Sequence, residues 1–204
     1  MMKKLCFALA AVATLTAAPV ASAQVAGDLL VRARVVNIDT ANKDSIANTE
    51  ISVSNKTIPE VDITYFLSPN LAAELILTYP QKHNVSSSAD GGQIGTLKQL
   101  PPTLSLQYHF TDLGLGAFKP YVGAGLNYTR FSNVNLNGGA LSVDKNSFGL
   151  SLQAGVDYAI DKTWSVNFDV KKVQIRTDLK TATATLGTVK IDPLLVGVGV
   201  GYKF

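Results

Sequence analysis

Residues 148–160 read Phe-Gly-Leu-Ser-Leu-Gln-Ala-Gly-Val-Asp-Tyr-Ala-Ile. The even positions, Phe148 through Ile160, are all apolar or aromatic; the odd positions are Gly, Ser, Gln, Gly, Asp and Ala. Period two places successive side chains on opposite faces of an extended strand, whereas a helix needs a period of 3.6. Residues 194–204 repeat the pattern: Leu194, Val196, Val198, Val200, Tyr202 and Phe204 alternate with Leu195, Gly197, Gly199, Gly201 and Lys203. Each segment has one continuous apolar face and one face dominated by small or polar residues.

Working outward, the alternation predicts eight strands, over residues 28–38, 55–67, 71–80, 103–110, 120–131, 147–160, 164–176 and 189–204. Most run to about ten residues, the length at which a tilted strand crosses hydrocarbon. The connections at 68–70, 111–119 and 161–163 are short. Those at 39–54, 81–102, 132–146 and 177–188 are long, polar and rich in Asn, Ser, Gly and Lys. Short turns at one end and long loops at the other are the pattern of an outer-membrane barrel. The fold class is therefore all-β, an eight-stranded antiparallel transmembrane β-barrel with short periplasmic turns and long extracellular loops. An open edge in lipid would leave backbone N–H and C=O groups unpaired, so the eighth strand must pair with the first.

Residues 1–23 read as a cleaved secretory signal. Lys3 and Lys4 form its basic start, an apolar run follows, and Ala21-Ser22-Ala23 is a small-x-small cleavage site. Residues 24–204 are then the barrel. Cleavage removes Cys6, so the mature chain makes no disulfide. The whole chain has 204 residues, 47% hydrophobic and 16% charged, a composition that excludes a disordered protein. Its net charge of +3 comes without a Lys/Arg run longer than two, so nucleic acid has no electrostatic footprint here.

A soluble, lipocalin-like barrel would turn the apolar face inward. Three features favour the inverse. Arg32, Arg34, Glu60, Asp62, Glu74, Asp157 and Asp169 lie on the non-apolar face at strand centres. They carry both signs, so they can pair across a closed lumen. Aromatics cluster at strand ends: Tyr65, Tyr108, Phe110, Phe118, Tyr121, Tyr158, Trp164, Tyr202 and Phe204 near the short turns, and Tyr79, Tyr128, Phe131 and Phe148 near the long loops. Two aromatic belts match two water–lipid interfaces.

Several stretches resemble the OmpW family of small outer-membrane proteins, with its OprG and AlkL types. They are GDLLVRARVV at 27–36, LAAELILTYPQKH at 71–83, GTLKQLPPTLSLQYHF at 95–110 and KPYVGAGLNYTRF at 119–131. FGLSLQAGVDYAIDKTWSVNFDV at 148–170 and IDPLLVGVGVGYKF at 191–204 complete the set. The resemblance implies a narrow, hydrophobic conduit passing small hydrophobic or amphipathic molecules, with lateral release into the membrane suggested for some members. It also implies that the terminal Phe204 is read by the barrel-assembly machinery.

An eight-stranded barrel is just wide enough for side chains to fill. Arg32 and Arg34 are expected to face Glu60 and Asp62 on the neighbouring strand, a charge cluster that plugs the lumen against bulk aqueous flow. Seven glycines fall on the inward face (123, 125, 149, 155, 197, 199 and 201). They either hollow one side of the lumen or relieve crowding where strands bend. Several relatives carry an aromatic pair on the seventh strand where this chain has Lys171-Lys172, and Ile76 matches a lumen-blocking aliphatic. Ile76 and Lys171 are therefore candidates to line a constriction, with Glu74 and Asp169 as the alternative pairing partners of Lys171. The apolar phase reverses from Val173 onward, which a bulge at 171–172 or exit of the strand from hydrocarbon would explain.

Catalysis finds little support. His83 lies near Ser86, Ser87, Ser88 and Asp90, but Ser-rich loops are common and no nucleophile motif appears. Two histidines do not make a metal site. No enzyme activity, metal or cofactor is expected. The expected partners are outer-membrane lipid and small hydrophobic solutes, acting on a monomer. A small barrel whose loops bind a phage or bacteriocin is the alternative.

Overall fold

The computed structural model describes residues 24–46 and 50–204; the expected signal at 1–23 lies outside them. Among the described residues, eight strands close into an antiparallel barrel. They are β1 (Leu29–Asp39), β2 (Lys56–Phe66), β3 (Leu71–Leu77), β4 (Thr103–His109), β5 (Phe118–Leu136), β6 (Asn146–Ala159), β7 (Trp164–Val173) and β8 (Leu194–Lys203). Each pairs with its sequence neighbours, and β8 closes on β1 from Leu30↔Lys203 to Asp39↔Leu194. Closure leaves no edge in lipid, as the solvent requires.

The apolar face looks outward. Leu152 is 65% exposed and Val198 is 52% exposed, whereas Arg32 and Asp62 are fully buried. The barrel is thus inside-out relative to a soluble protein: hydrocarbon solvates its outer wall, and polar groups satisfy one another within. Tyr65, Tyr108, Phe118, Tyr158, Trp164 and Phe204 are exposed near the short turns, and Tyr79 and Phe148 near the opposite rim. Trp164, Tyr202 and Phe204 pack edge-on in sequence, with centroids 4.9 and 4.8 Å apart. Two members expected in these belts belong elsewhere. Tyr121 is 1% exposed and Phe131 is 2% exposed; both point inward. Their parity puts them on the glycine face, and strand-end position alone is a weaker guide than parity.

The long connections are not simply polar loops. Gln81–Ser87 pairs with Gly92–Leu100, which joins the upper end of β5, and Ile51–Val53 pairs with Gln81–Ser87. Arg176–Lys180 pairs with Thr185–Lys190, flanked by Ser142–Val143 and Lys43–Asp44. These ladders carry the wall beyond the lipid and enclose an apolar cluster that includes Val53, Val85, Leu97, Phe131, Ile175, Leu179 and Ile191. The eighth strand correspondingly starts at Leu194, later than residue 189, because Val189 belongs to this outer sheet.

The same change of solvent explains the phase reversal after Lys171. In β7 the inward residues Ser165, Asn167, Asp169 and Lys171 are polar, while outward Val166 and Phe168 are apolar. Beyond Lys171 the inward residues remain odd-numbered, but they become Val173 and Ile175, and the outward Lys172, Gln174 and Arg176 become polar. No bulge is present: Lys171 pairs with Gln153 and Lys172 with Leu152 in unbroken register. The strand has left hydrocarbon, so its outer face meets water and its inner face becomes a conventional apolar core.

Asp161 organises the β6–β7 turn. Its Oδ1 accepts hydrogen bonds from the backbone N–H groups of Thr163 and Trp164, both at 2.7 Å, and from the Thr163 hydroxyl at 2.9 Å. The two backbone donors, with the hydroxyl, hold its carboxyl below the usual aspartate range. A depressed folded-state pKa contributes stability at neutral pH that is lost as pH falls through that value. Asp161→Asn is therefore expected to lower the urea midpoint at neutral pH, with wild type and variant converging in strong acid.

Candidate functional site

The lower lumen is an ion-pair network built from six strands. Arg32 from β1 donates through Nε and Nη2 to both carboxylate oxygens of Asp157 on β6, at 3.0 and 2.7 Å. Its Nη1 donates to Asp62 Oδ1 at 3.0 Å and Thr64 Oγ1 at 2.8 Å, both on β2. The guanidinium lies 5.3 Å from the Tyr121 ring centroid, within cation–π reach. Arg34 Nη2 reaches Asp62 at 2.8 Å, Glu60 at 3.0 Å and Glu74 of β3 at 3.3 Å. Tyr121 Oη donates to Asp169 at 2.8 Å, and Asn167 Nδ2 donates to Asp157 and Tyr121. Gln153 Nε2 donates to Glu74 at 2.9 Å.

Buried charges persist only when paired and hydrogen-bonded, and strand register supplies the pairing here. Arg32 sits directly opposite Asp62, and Arg34 directly opposite Glu60. The glycines leave no void beside this network. A Cβ on Gly155 would lie 2.4 Å from the Tyr121 ring, and one on Gly199 would lie 2.1 Å from the Ala33 carbonyl. Neighbouring groups occupy the space, so these glycines permit close packing and do not hollow the lumen.

Above the network the interior turns apolar. Ile38, Ile58, Ile76, Val173, Ile175 and Leu195 line a chamber whose floor includes Glu60, Thr103, Asn127 and Lys171. Its free volume is about 20 Å³, room for about one water molecule. On one wall Gln81 and Gln99 face each other across the ladder, both fully or almost fully buried. His83 lies behind them, with Nδ1 2.8 Å from the Ser54 carbonyl and Nε2 3.1 Å from Gln99 Nε2. A carbonyl only accepts, so Nδ1 carries the proton. Burial pushes the His83 pKa down, leaving a neutral ring whose Nε2 accepts from the Gln99 amide.

The closed eight-stranded antiparallel barrel is also the fold of known outer-membrane proteins. The family model described as "OmpW family" matches residues 25–204. The chain belongs to the OmpW family. It is 44% identical to the "Uncharacterized outer-membrane protein y4mB" of Sinorhizobium fredii, over 96% of this chain and 90% of that protein. It is 27% identical to the "Dibenzothiophene metabolism operon protein PahQ" of Pseudomonas aeruginosa, over 80% of this chain and 79% of that one. The crystal structure of OprG from Pseudomonas aeruginosa superposes with a TM-score of 0.77 at 29% identity, covering 88% of this chain and 96% of that one.

This OmpW-family member is an outer-membrane protein and not an enzyme. Neither ring nitrogen of His83 bonds a serine hydroxyl: Nδ1 meets the Ser54 backbone carbonyl and Nε2 the Gln99 amide, and the Ser87 hydroxyl accepts from the Asp90 N–H. Of the residues singled out from sequence, Arg32, Arg34, Glu60 and Asp62 meet in the plug. Ile76 and Lys171 line the same chamber. Glu74 and Asp169 lie just beneath it, 3.7 and 3.9 Å from the Lys171 ammonium. Sequence reasoning left Tyr121, Gln153 and Asn167 out of the site; each has inward parity, the signal that could have found them. It also missed Gln81 and Gln99, which lie in a stretch read as a loop.

Proposed function

We propose that this barrel passes small, mostly apolar molecules from the cell exterior into the outer membrane, entering through the apolar chamber and leaving sideways. The observation that carries this reading is the sequence of environments along the lumen. An apolar solute gains by entering the chamber, where only van der Waals contacts between side chains must part. Below it, a solute would have to separate buried ion pairs and leave charges uncompensated, a cost of several kcal/mol. The axial route is thus blocked where the chamber ends.

The wall beside the chamber is weakest between β3 and β4. Their ladder stops at Ile76↔Thr103. The chain beyond contains Pro80 on one side and Pro101 and Pro102 on the other, none of which has an N–H to extend it. Thr78 and Pro101 also line the chamber, so this interruption adjoins it. The PahQ name adds support, since dibenzothiophene is an uncharged aromatic compound. We read the barrel as a monomer, each copy with its own lumen, and Phe204 as the aromatic terminus recognised during assembly.

The test is uptake by cells with an intact lipopolysaccharide leaflet, with and without the protein. Uptake of a labelled n-alkane should rise several-fold while that of a sugar of similar size stays at background. Ile76→Trp, which fills a chamber already near capacity, should return alkane uptake towards background. A barrel acting only through loop recognition would raise neither.

A further inference from the structure

We propose that the chamber selects solutes carrying a hydroxyl at one end, with Lys171 and the Gln81–Gln99 pair holding that hydroxyl and the apolar walls holding the chain. This rests on the conduit reading above and names its preferred substrate class, an uncharged primary alcohol.

Lys171 is buried on β7, yet its nearest carboxylate oxygens are 3.7 Å away on Glu74 and 3.9 Å away on Asp169. Both exceed a normal N–H···O hydrogen bond. Its ammonium lines the chamber with donor capacity in reserve. Gln99 supplies the complementary group. Its amide nitrogen is committed to His83, whose tautomer is set by the Ser54 carbonyl. Its Oε1 is buried and has no hydrogen-bond partner in the structure. Gln81, directly opposite, donates its amide to Thr78 at 2.7 Å, and its Oε1 is likewise buried without a partner. Both glutamines line the same chamber as Lys171.

One donor and two acceptors around an apolar space call for a ligand group that both accepts and donates. A hydroxyl does both: it accepts from Lys171 and donates to a glutamine oxygen. An alkane satisfies neither side and leaves the buried polar groups as they are. A carboxylate accepts only, so it leaves the glutamine oxygens unanswered, and it would face Glu60 in the lining with Glu74 and Asp169 beneath. The alcohol is the class that answers both Lys171 and one of the glutamine oxygens without adding charge.

The test uses the full mature barrel in lipid nanodiscs, labelled for NMR at the Gln side-chain amides and the Lys Cε. The probes are 1-octanol, n-octane and octanoate. With 1-octanol, the Gln81, Gln99 and Lys171 signals should move saturably, at concentrations about tenfold below those needed for n-octane or octanoate. Lys171→Met should remove that preference, so that 1-octanol and n-octane titrate over the same concentration range. Gln81→Met, which touches no charge, should weaken octanol binding several-fold and serves if Lys171→Met fails to fold. Equal binding of octanol and octane by the wild-type protein would overturn the hydroxyl proposal and leave the apolar conduit standing. If neither perturbs the chamber, the conduit reading falls as well.

Discussion

Replacing Arg32 with methionine is expected to lower the unfolding free energy of the refolded barrel by about 3–5 kcal/mol, the cost of leaving buried partners uncompensated. Arg32 is the hub of the plug: it bonds Asp62 and Thr64 on the β2 wall and both carboxylate oxygens of Asp157 on the far wall. Methionine fills much of the volume but supplies none of the four hydrogen bonds. Asp157 would retain only Asn167, and Asp62 would retain Arg34. The measurement is urea unfolding in lipid, followed by the fluorescence of Trp164, the single tryptophan of the chain. The triple variant Arg32→Met, Asp62→Asn, Asp157→Asn should recover most of the loss, because removing a whole buried cluster costs far less than orphaning part of it. A loss below about 1 kcal/mol, the size typical of a solvated ion pair, would mean that water fills the lower lumen and that the axial route is open.

The second large effect concerns the opposite face of the wall. Val198→Arg is expected to destabilise the barrel by about 2–4 kcal/mol, the cost of an arginine facing lipid near the bilayer midplane, since Val198 pairs with Phe168 midway between the Trp164–Tyr202 belt and Lys172. Phe148→Arg, beside Tyr128 in the aromatic belt at the outer rim, should cost about 0–1 kcal/mol. Both side chains are well exposed, so loss of packing contributes little to the difference, and depth in the hydrocarbon decides it. Equal costs at the two positions would show that this face does not look into lipid.

Much of this architecture was legible because the transmembrane strands obey one rule. In β6 and β8 the residue at position i + 2 shares a face with residue i, so parity assigned inside and outside without knowledge of any neighbour. That Arg32 and Arg34 face Glu60 and Asp62 was equally accessible, since all four lie on the inward face of adjacent antiparallel strands, whereas the register that sets Arg32 against Asp62 and Arg34 against Glu60 came from the structure. The aromatic belts were less secure. Tyr121 and Phe131 stand near strand ends but point inward, where Tyr121 binds Asp169.

The segments beyond the lipid were the least legible. Gln81–Ser87 and Arg176–Lys180 read as polar connections because most of their residues are polar, yet inward Val85 and Leu179 join the apolar core that caps the barrel. The same chain pattern changes meaning at the membrane surface, and nothing local marks that surface except the inversion itself.

The amino-acid sequence by itself determined the strand count, the closure of the sheet, the outward direction of the oily face and the presence of opposite charges in the lumen. All of these follow from alternation, strand length and the absence of water in hydrocarbon. Only the tertiary structure decided which charges meet across the lumen, that the plug ends beneath an apolar chamber, and that Lys171 and two glutamine oxygens share that chamber. Those features depend on residues from non-adjacent strands being brought within a few ångströms, and barrel closure sets such distances where strand periodicity does not.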